Sequence, residues 1–134
     1  SQEALPAVKK PVILIVDDEE HVLFVLRSAL MKLHESMHVI TATTAQEALE
    51  AAEDHPCDLV ITDLIMPETD GVALTERISA IAGNPTVVWM TAYGCQSFRQ
   101  DAERLDVYRC VEKPLEIGEV RQLASEALAD RKAV

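Results

Sequence analysis

Five short apolar runs alternate along this chain with five segments of helical periodicity, and this alternation constrains the fold more than any other feature. Strands are predicted at 12–17, 39–42, 58–63, 86–91 and 107–112, and helices at 19–33, from 45, from 72, at 95–104 and from 117 to about 130. Strict alternation predicts a parallel sheet with helices on both faces. Right-handed crossovers then bring every strand's carboxyl end to one edge of the sheet, where ligands bind in such folds.

Local signals mark two helix ends and the limits of the domain. Thr44 and Glu47 have the spacing of a capping box, so the second helix should begin after Thr44. Gly83, which is followed at once by Asn84 and Pro85, should end the third helix. The chain of 134 residues is long enough for one domain. We expect this domain to span 11–130, with tails at 1–10 and 131–134.

Polar side chains follow four of the predicted strands. Asp17 and Asp18 follow the apolar run 12–16 of the first strand. Asp63 ends the third strand, Thr91 ends the fourth, and Lys113 follows the fifth. If the strands are parallel, these groups form one site. Clustered carboxylates repel one another and favour a hard divalent cation such as Mg²⁺. A cation, a hydroxyl and a lysine around a carboxylate suit attack by Asp63 on phosphorus, which gives an acyl phosphate.

Each of these residues also has an ordinary structural interpretation. Acids at 17–20 are common as the cap and first turn of a helix, where they interact well with the helix dipole. A lone threonine at 91 is typical of a strand end, and a lone lysine at 113 is typical of a solvated surface. Only their joint position at four strand exits favours the functional interpretation.

Charge and composition exclude several classes of function. The formal net charge is −11, so this domain should not bind nucleic acid directly. No apolar stretch approaches the length of a membrane span, and 1–10 has no signal-peptide core. Cys57, Cys95 and Cys110 have no metal-ligand spacing, and we expect them to be small buried side chains in a reducing cytoplasm.

The same residues carry a resemblance to a known family. Val16-Asp-Asp-Glu-Glu20, Asp63-Leu-Ile-Met-Pro-Glu-Thr-Asp-Gly71, Thr91-Ala-Tyr-Gly94 and Glu112-Lys-Pro114 together resemble the receiver domain of bacterial response regulators. The resemblance covers roughly residues 11–130. It implies a doubly wound, flavodoxin-like (βα)5 domain, whose five parallel strands have the order 2-1-3-4-5. It also implies that the domain accepts a phosphoryl group in a two-component system.

The resemblance implies roles for individual residues. Asp63 would be the phospho-acceptor, and Asp18, Asp63 and the backbone carbonyl of Ile65 would ligate Mg²⁺, while Asp17 would act through water. Thr91 would be the switch hydroxyl. Before phosphorylation the Lys113 ammonium would bind Asp63, and afterwards it would bind the phosphoryl group.

The family's partners follow from the same resemblance. A phosphohistidine on a sensor histidine kinase or a phosphotransfer protein would be the donor. The face formed by the fourth helix, fifth strand and fifth helix would then switch to regulate an output domain or an effector protein. The domain would be a signalling module rather than an enzyme, catalysing only its own phosphorylation and dephosphorylation. The sequence leaves open whether it forms a homodimer.

One position departs from the family pattern. The family usually carries Tyr or Phe three residues before the lysine, and this chain has Cys110 there. Tyr108 lies two residues earlier, an offset that predicts the same strand face. We therefore expect phosphorylation to shift the loop 92–95 and the fourth helix, without an aromatic flip. The Lys113–Pro114 bond is predicted to be cis, because Lys113 must turn back into the site and cis costs little only before proline.

Two other functional interpretations remain open at this point. His34-Glu35-Ser36-Met37-His38 matches the short motif of zinc hydrolases, which requires both histidines on one face of a helix. Because a helix ends and a strand begins here, His38 should point elsewhere. The second alternative is a receiver-like module that binds partners without being phosphorylated. Acyl phosphate formation separates that module from a working receiver.

Overall fold

The computed structural model describes residues 10–33, 37–81 and 83–132, and it is built around a five-stranded sheet. The strands are β1 (Val12–Val16), β2 (His38–Ala42), β3 (Leu59–Asp63), β4 (Thr86–Thr91) and β5 (Arg109–Glu112). Their order in the sheet is β2-β1-β3-β4-β5, and every pairing between neighbours is parallel. The predicted strand order is therefore confirmed.

Helices cover both faces of this sheet. They are α1 (Glu20–Met31), α2 (Ala45–Asp54), α3 (Gly71–Ser79), α4 (Arg99–Arg104) and α5 (Ile117–Lys132). A 3₁₀ turn, Cys95–Phe98, precedes α4, and a short antiparallel ladder pairs Ile65–Met66 with Thr69–Asp70. Among the described helices, none combines the length and apolar character that a membrane span requires.

Alternating side chains of each central strand enter two separate cores. In β1, Ile13 and Ile15 pack with α1 and α5, while Leu14 and Val16 pack with α2 and α3. All four side chains are fully buried. Burial on both faces explains why this strand is a continuous apolar run instead of an alternating one.

Several elements differ in extent from the sequence prediction. Four elements are shorter than predicted. The first strand covers 12–16 where 12–17 was predicted, and the first helix covers 20–31 where 19–33 was predicted. The third strand covers 59–63 where 58–63 was predicted, and the fifth covers 109–112 where 107–112 was predicted. The structure also lengthens the second strand by one residue, to His38. The third helix ends at Ser79, before Gly83, and the predicted helix 95–104 is a 3₁₀ turn followed by six α-helical residues. None of those six residues is buried, so little tertiary packing holds α4 in a regular helix.

The beginning of α2 uses a modified capping box. Glu47 donates its backbone N–H to Oγ1 of Thr44 at 3.1 Å, as predicted. The Glu47 carboxylate, however, accepts from the N–H and hydroxyl of Thr43, one residue earlier than in the usual box. These hydrogen bonds lower the pKa of Glu47 below its ordinary value.

The last helix continues two residues beyond its predicted end near 130. The Arg131 guanidinium donates to the carbonyls of Gly83 at 2.6 Å and Asn84 at 2.9 Å, and it lies 3.4 Å from the Asp58 carboxylate. Asp58 in turn accepts the backbone N–H of Val12. Arg131 therefore belongs to the folded domain and fastens α5 to the amino-terminal edge of the sheet.

Candidate functional site

The centre of the site is a lysine that bridges two buried carboxylates. Lys113 Nζ donates to Oδ2 of Asp63 at 2.8 Å and to Oδ2 of Asp17 at 2.7 Å. Asp63 is 5% exposed and Asp17 is fully buried. Burial alone would lower the pKa of Lys113, but the hydrogen bonds to Asp17 and Asp63 outweigh it, so the pKa lies above the ordinary 10.5. The ammonium is therefore charged at neutral pH.

The predicted acid cluster is present at the same edge. One carboxylate oxygen from each of Asp17, Asp18 and Asp63 lies within 4.8 Å of the others, and Asp18 is the exposed member. Within the described part of the chain, no other group of three His, Cys, Asp or Glu side chains has this spacing. Asp17 also accepts the backbone N–H of Glu19 through Oδ1 at 2.9 Å, which fixes its side chain.

The turn after β3 holds Asp63 from the other side. The backbone N–H of Ile65 donates to Oδ1 of Asp63 at 3.1 Å, so both carboxylate oxygens of Asp63 have a partner. The turn closes where the N–H of Gly71 reaches the carbonyl of Leu64. A Cβ at Gly71 would lie 2.5 Å from Cα of Leu64 and 2.7 Å from the carbonyl oxygen of Asp63. Only glycine permits this approach.

Thr91 and the residues after β5 complete the edge. Thr91 is fully buried, and its Oγ1 accepts the backbone N–H of Tyr93 at 3.0 Å. Its carbonyl accepts the N–H of Lys113 at 2.8 Å, which joins the exits of β4 and β5. The Lys113–Pro114 bond is cis, as predicted.

Two of the cysteines do not match the expectation of buried thiols. Cys95 and Cys110 form a disulfide with a Cα–Cα distance of 5.9 Å, and only Cys57 is a free, buried cysteine. Burial, and secondarily the Asp58 carboxylate, raises the pKa of Cys57 to about 11. The pairing had a signal in the sequence. Cys95 follows Thr91 by four residues and Cys110 precedes Lys113 by three, and both landmarks were predicted to lie at one edge.

The prediction for Tyr108 was wrong. Cys110 packs in the core under α2 and α3, but Tyr108 packs in the core under α1 and α5. Its hydroxyl donates to the Asp130 carboxylate at 2.6 Å. Strand alternation does not apply to this pair because Tyr108 precedes β5, which begins at Arg109. Tyr108 is thus not a displaced version of the family's aromatic residue.

The zinc-hydrolase interpretation fails for a geometric reason. His38 is the first residue of β2, so it cannot share a helical face with a residue four positions earlier. Its ring instead lies edge-on to the ring of His55, with centroids 5.6 Å apart. Three other motif residues, His34, Glu35 and Ser36, lie outside the described residues, and Met37 is buried.

An apolar groove opens beside the acid cluster. It has a volume of about 440 Å³ and runs between α1 and the segment after β5, from Val22, Val25 and Leu26 to Lys113, Pro114 and Leu115. Phe24 is 71% exposed and Val25 42% exposed on α1. Lys113, which bridges Asp17 and Asp63, lines this groove, so a molecule bound there would contact apolar surface next to the cluster.

Comparisons with known proteins agree with this geometry. Residues 13–125 match the family profile described as the response regulator receiver domain. Sporulation initiation phosphotransferase F of Bacillus subtilis (strain 168) is 31% identical over 116 residues, which cover 87% of this chain and 92% of that protein. Response regulator protein PilR of Pseudomonas aeruginosa is 30% identical over 115 residues, which cover 86% of this chain but 25% of PilR.

Solved structures show the same fold. The crystal structure of a CheY-like response regulator receiver domain protein from Methanospirillum hungatei JF-1 superposes with a TM-score of 0.85 at 22% identity, covering 93% of this chain and 98% of that one. The profile match spans most of this chain. The chain therefore belongs to the response regulator receiver domain family, the phospho-accepting domains of two-component signal transduction.

Proposed function

We propose that Asp63 accepts a phosphoryl group from the phosphohistidine of a sensor histidine kinase or a phosphotransfer protein. The observation that carries this proposal is the bridge of Lys113 to Asp63 and Asp17 within a cluster of three carboxylates. An acceptor must be anionic, held in place and close to groups that stabilise a phosphoryl oxygen. Asp63 meets these conditions.

The transfer uses groups already in position. A carboxylate oxygen of Asp63 attacks phosphorus, the new O–P bond forms, and the P–N bond to the donor imidazole breaks with its electron pair on nitrogen. The product is an acyl phosphate. The Lys113 ammonium then exchanges its hydrogen bond with Asp63 for one with a phosphoryl oxygen, and the Thr91 hydroxyl donates to another. Bonds to the charged phosphoryl group are stronger than those between neutral groups.

The cluster fits a divalent cation by its donor set. Three carboxylates face one ammonium, so the four side chains together carry a net negative charge. A hard, oxygen-preferring cation compensates this charge. We propose that Asp18, Asp63 and the carbonyl of Ile65 hold Mg²⁺, with Asp17 acting through water. Bound there, Mg²⁺ would neutralise phosphoryl charge during transfer.

The donor protein must cover the exposed side of the cluster to reach Asp63. The groove along α1 opens next to Lys113, and Val22, Val25 and Leu26 there offer the donor apolar contact. Burial of such surface gives affinity, whereas the acids give orientation. We propose that the donor docks on this groove.

The response is proposed to emerge at the α4–β5–α5 face, where it regulates an output domain or an effector protein. None of the residues of α4 is buried, so this helix has little packing to resist a shift. PilR is four times as long as the part that aligns with this chain, which makes an attached output domain one candidate.

We also propose a cytoplasmic location, where a kinase has ATP, and no catalysis beyond the domain's own phosphorylation and dephosphorylation.

Intact-mass spectrometry after incubation with acetyl phosphate and Mg²⁺ tests the proposal. The natural protein should gain one phosphoryl group, and Asp63→Asn should gain none. Asp70→Asn is the matched control, because Asp70 lies outside the cluster and caps α3 through an oxygen that Asn retains. An equal adduct on Asp63→Asn refutes the acceptor. No adduct on the natural protein, with small-molecule or phosphohistidine donors, supports an interaction module without phosphorylation.

A further inference from the structure

A covalent bond joins the exit of β4 to β5 beside the site. Cys95 is the first residue of the 3₁₀ turn, and Cys110 lies within the edge strand β5. Their Cα atoms are 5.9 Å apart, the separation that a disulfide spans. Both residues are half-buried, so part of each remains exposed to solvent.

This bond is not needed to staple a small core. The domain has two apolar clusters, and residues from every strand of the central sheet contribute to them. For a chain of this length, these clusters bury enough apolar surface to stabilise the fold. If the domain works in the cytoplasm, as its proposed function implies, thiols there are kept largely reduced. Disulfides that do form in that compartment are usually transient and redox-sensing. The pair is thus better suited to a reversible role than to a structural one.

The bond also fastens the segment that connects two residues of the site. Thr91 accepts the N–H of Tyr93, and two residues later the N–H of Cys95 donates to Oε1 of Glu112 at 3.3 Å. Glu112 immediately precedes Lys113. The segment 92–98 is therefore held between Thr91 and Lys113 by one hydrogen bond to β5 and by the disulfide. Without the disulfide, the exposed hydrogen bond of Cys95 is the described link from this segment to β5, while the partly buried Phe98 still packs against the core under α2 and α3.

We propose that Cys95 and Cys110 form a thiol–disulfide switch, which determines how far the segment 92–98 moves when Asp63 is phosphorylated. This inference rests on the proposed function, and it adds a second input to it. In the oxidised form the segment moves only together with β5. In the reduced form it is released to follow Thr91 toward the phosphoryl group.

The chemistry needs a low-molecular-weight or protein disulfide as oxidant. The thiolate of one cysteine attacks this disulfide, forms a mixed disulfide and expels the first thiol. The second cysteine thiolate then attacks the mixed disulfide, which closes the Cys95–Cys110 bond and expels the second thiol. Two electrons pass to the oxidant, and its two thiols take up the two protons. A dithiol reverses both steps. Cys57 is a poor competitor because it is buried and its pKa is raised.

Redox titration in mixtures of reduced and oxidised glutathione tests the first half of the proposal. After an acid quench and alkylation, intact mass should show conversion of two thiols together in the natural protein and in Cys57→Ala. Cys110→Ser and Cys95→Ser should show no such transition. Trp89 pairs with Cys110 across neighbouring strands, so its fluorescence should fall on oxidation. A pair that stays reduced in excess oxidised glutathione, or stays oxidised in excess reduced glutathione, overturns the switch.

Amide hydrogen exchange with and without acetyl phosphate and Mg²⁺ tests the second half. Phosphorylation should accelerate exchange in 92–98 about fivefold more in the reduced protein than in the oxidised one, and Cys110→Ser should behave as reduced in any buffer. Equal changes in both forms overturn the proposal. If neither form gains a phosphoryl group, the acceptor assignment fails instead. The restraint of the segment 92–98 by the disulfide is then tested by amide exchange without phosphorylation. Exchange in 92–98 should be about fivefold slower in the oxidised protein than in the reduced one, and equal rates overturn the proposal.

Discussion

Lys113 Nζ donates a 2.8 Å hydrogen bond to Oδ2 of Asp63, a residue 50 positions earlier in the chain. This contact joins the exits of β3 and β5 across the intervening strand β4. The same ammonium also holds Asp17, so it occupies two carboxylates of the cluster. A cation that binds there must compete with Lys113 for those oxygens, and a phosphoryl group must compete with the carboxylates for the Lys113 ammonium.

Loss of the exposed acid should weaken Mg²⁺ binding more than loss of a neighbouring helix acid. We expect Asp18→Asn to raise the Kd for Mg²⁺ about tenfold, because the number of charged oxygen ligands sets the affinity of such sites. Glu20→Gln is the control, since Glu20 begins α1 and is not a member of the cluster. NMR titration measures both. Equal affinities in Asp18→Asn and the natural protein would remove Asp18 from the site.

Removal of the Lys113 cation should destabilise the fold in a pH-dependent manner. We expect Lys113→Met to lower the free energy of unfolding by about 2 kcal/mol without Mg²⁺, because two buried carboxylates lose their partner. The pKa of Lys113 is raised, so its contribution is complete below pH 10.5 and is lost as the pH rises through the folded-state pKa. Urea unfolding of both proteins from neutral to alkaline pH should show a constant difference that shrinks only above pH 10.5. A difference that already disappears near neutral pH would contradict this assignment.

A methyl group at Gly71 should disturb the site through the backbone of the turn that follows β3. A Cβ there would collide with the backbone of Asp63 and Leu64, so Gly71→Ala should cost about 2 kcal/mol of stability and slow phosphorylation. Gly118→Ala is the matched control in α5, where nothing lies within 4 Å of the added atom. That substitution should stabilise the helix by about 0.5 kcal/mol. Thermal unfolding of both variants checks the opposite signs, and equal shifts would be evidence against the close approach.

The free cysteine should be nearly inert. Burial, followed by the Asp58 carboxylate, raises the pKa of Cys57 from 9.0 to about 11. In the oxidised protein, alkylation of Cys57 near neutral pH should be about a hundredfold slower than in urea, because the thiolate is the reactive form. The raised pKa also means that Cys57 stabilises the fold below pH 9.0 and loses this effect as the pH rises toward about 11. Alkylation at the unfolded rate would show that the thiol is accessible.

The sheet and the central contacts of the site could be predicted because they follow from periodicity. Apolar runs in alternation with helices imply parallel strands, and parallel strands bring Asp17, Asp63 and Lys113 to one edge whatever the loops do. The resemblance to receiver domains added the strand order and the role of each residue. Both parts of that reasoning use information that is local in sequence or shared by a family.

The features that could not be predicted depend on details at the ends of elements. The spacings from Thr91 and Lys113 place Cys95 and Cys110 near one edge, but a bond between them also requires the actual distance between a loop and an edge strand, which those spacings do not fix. Tyr108 faces the other core because β5 begins one residue later. Arg131 extends α5 because its partners lie in a distant turn. Each outcome depends on tertiary contacts rather than on local pattern.

Reductive trapping of the phosphorylated protein identifies the residue that carries the phosphoryl group. Borohydride converts an aspartyl phosphate, but not a free aspartate, to homoserine at the same position. After treatment with acetyl phosphate and Mg²⁺, peptide mass spectrometry should find homoserine at position 63, and Asp17, Asp18 and Asp70 should remain aspartate. Conversion at one of those three acids, with position 63 unchanged, would show that Asp63 is not the acceptor.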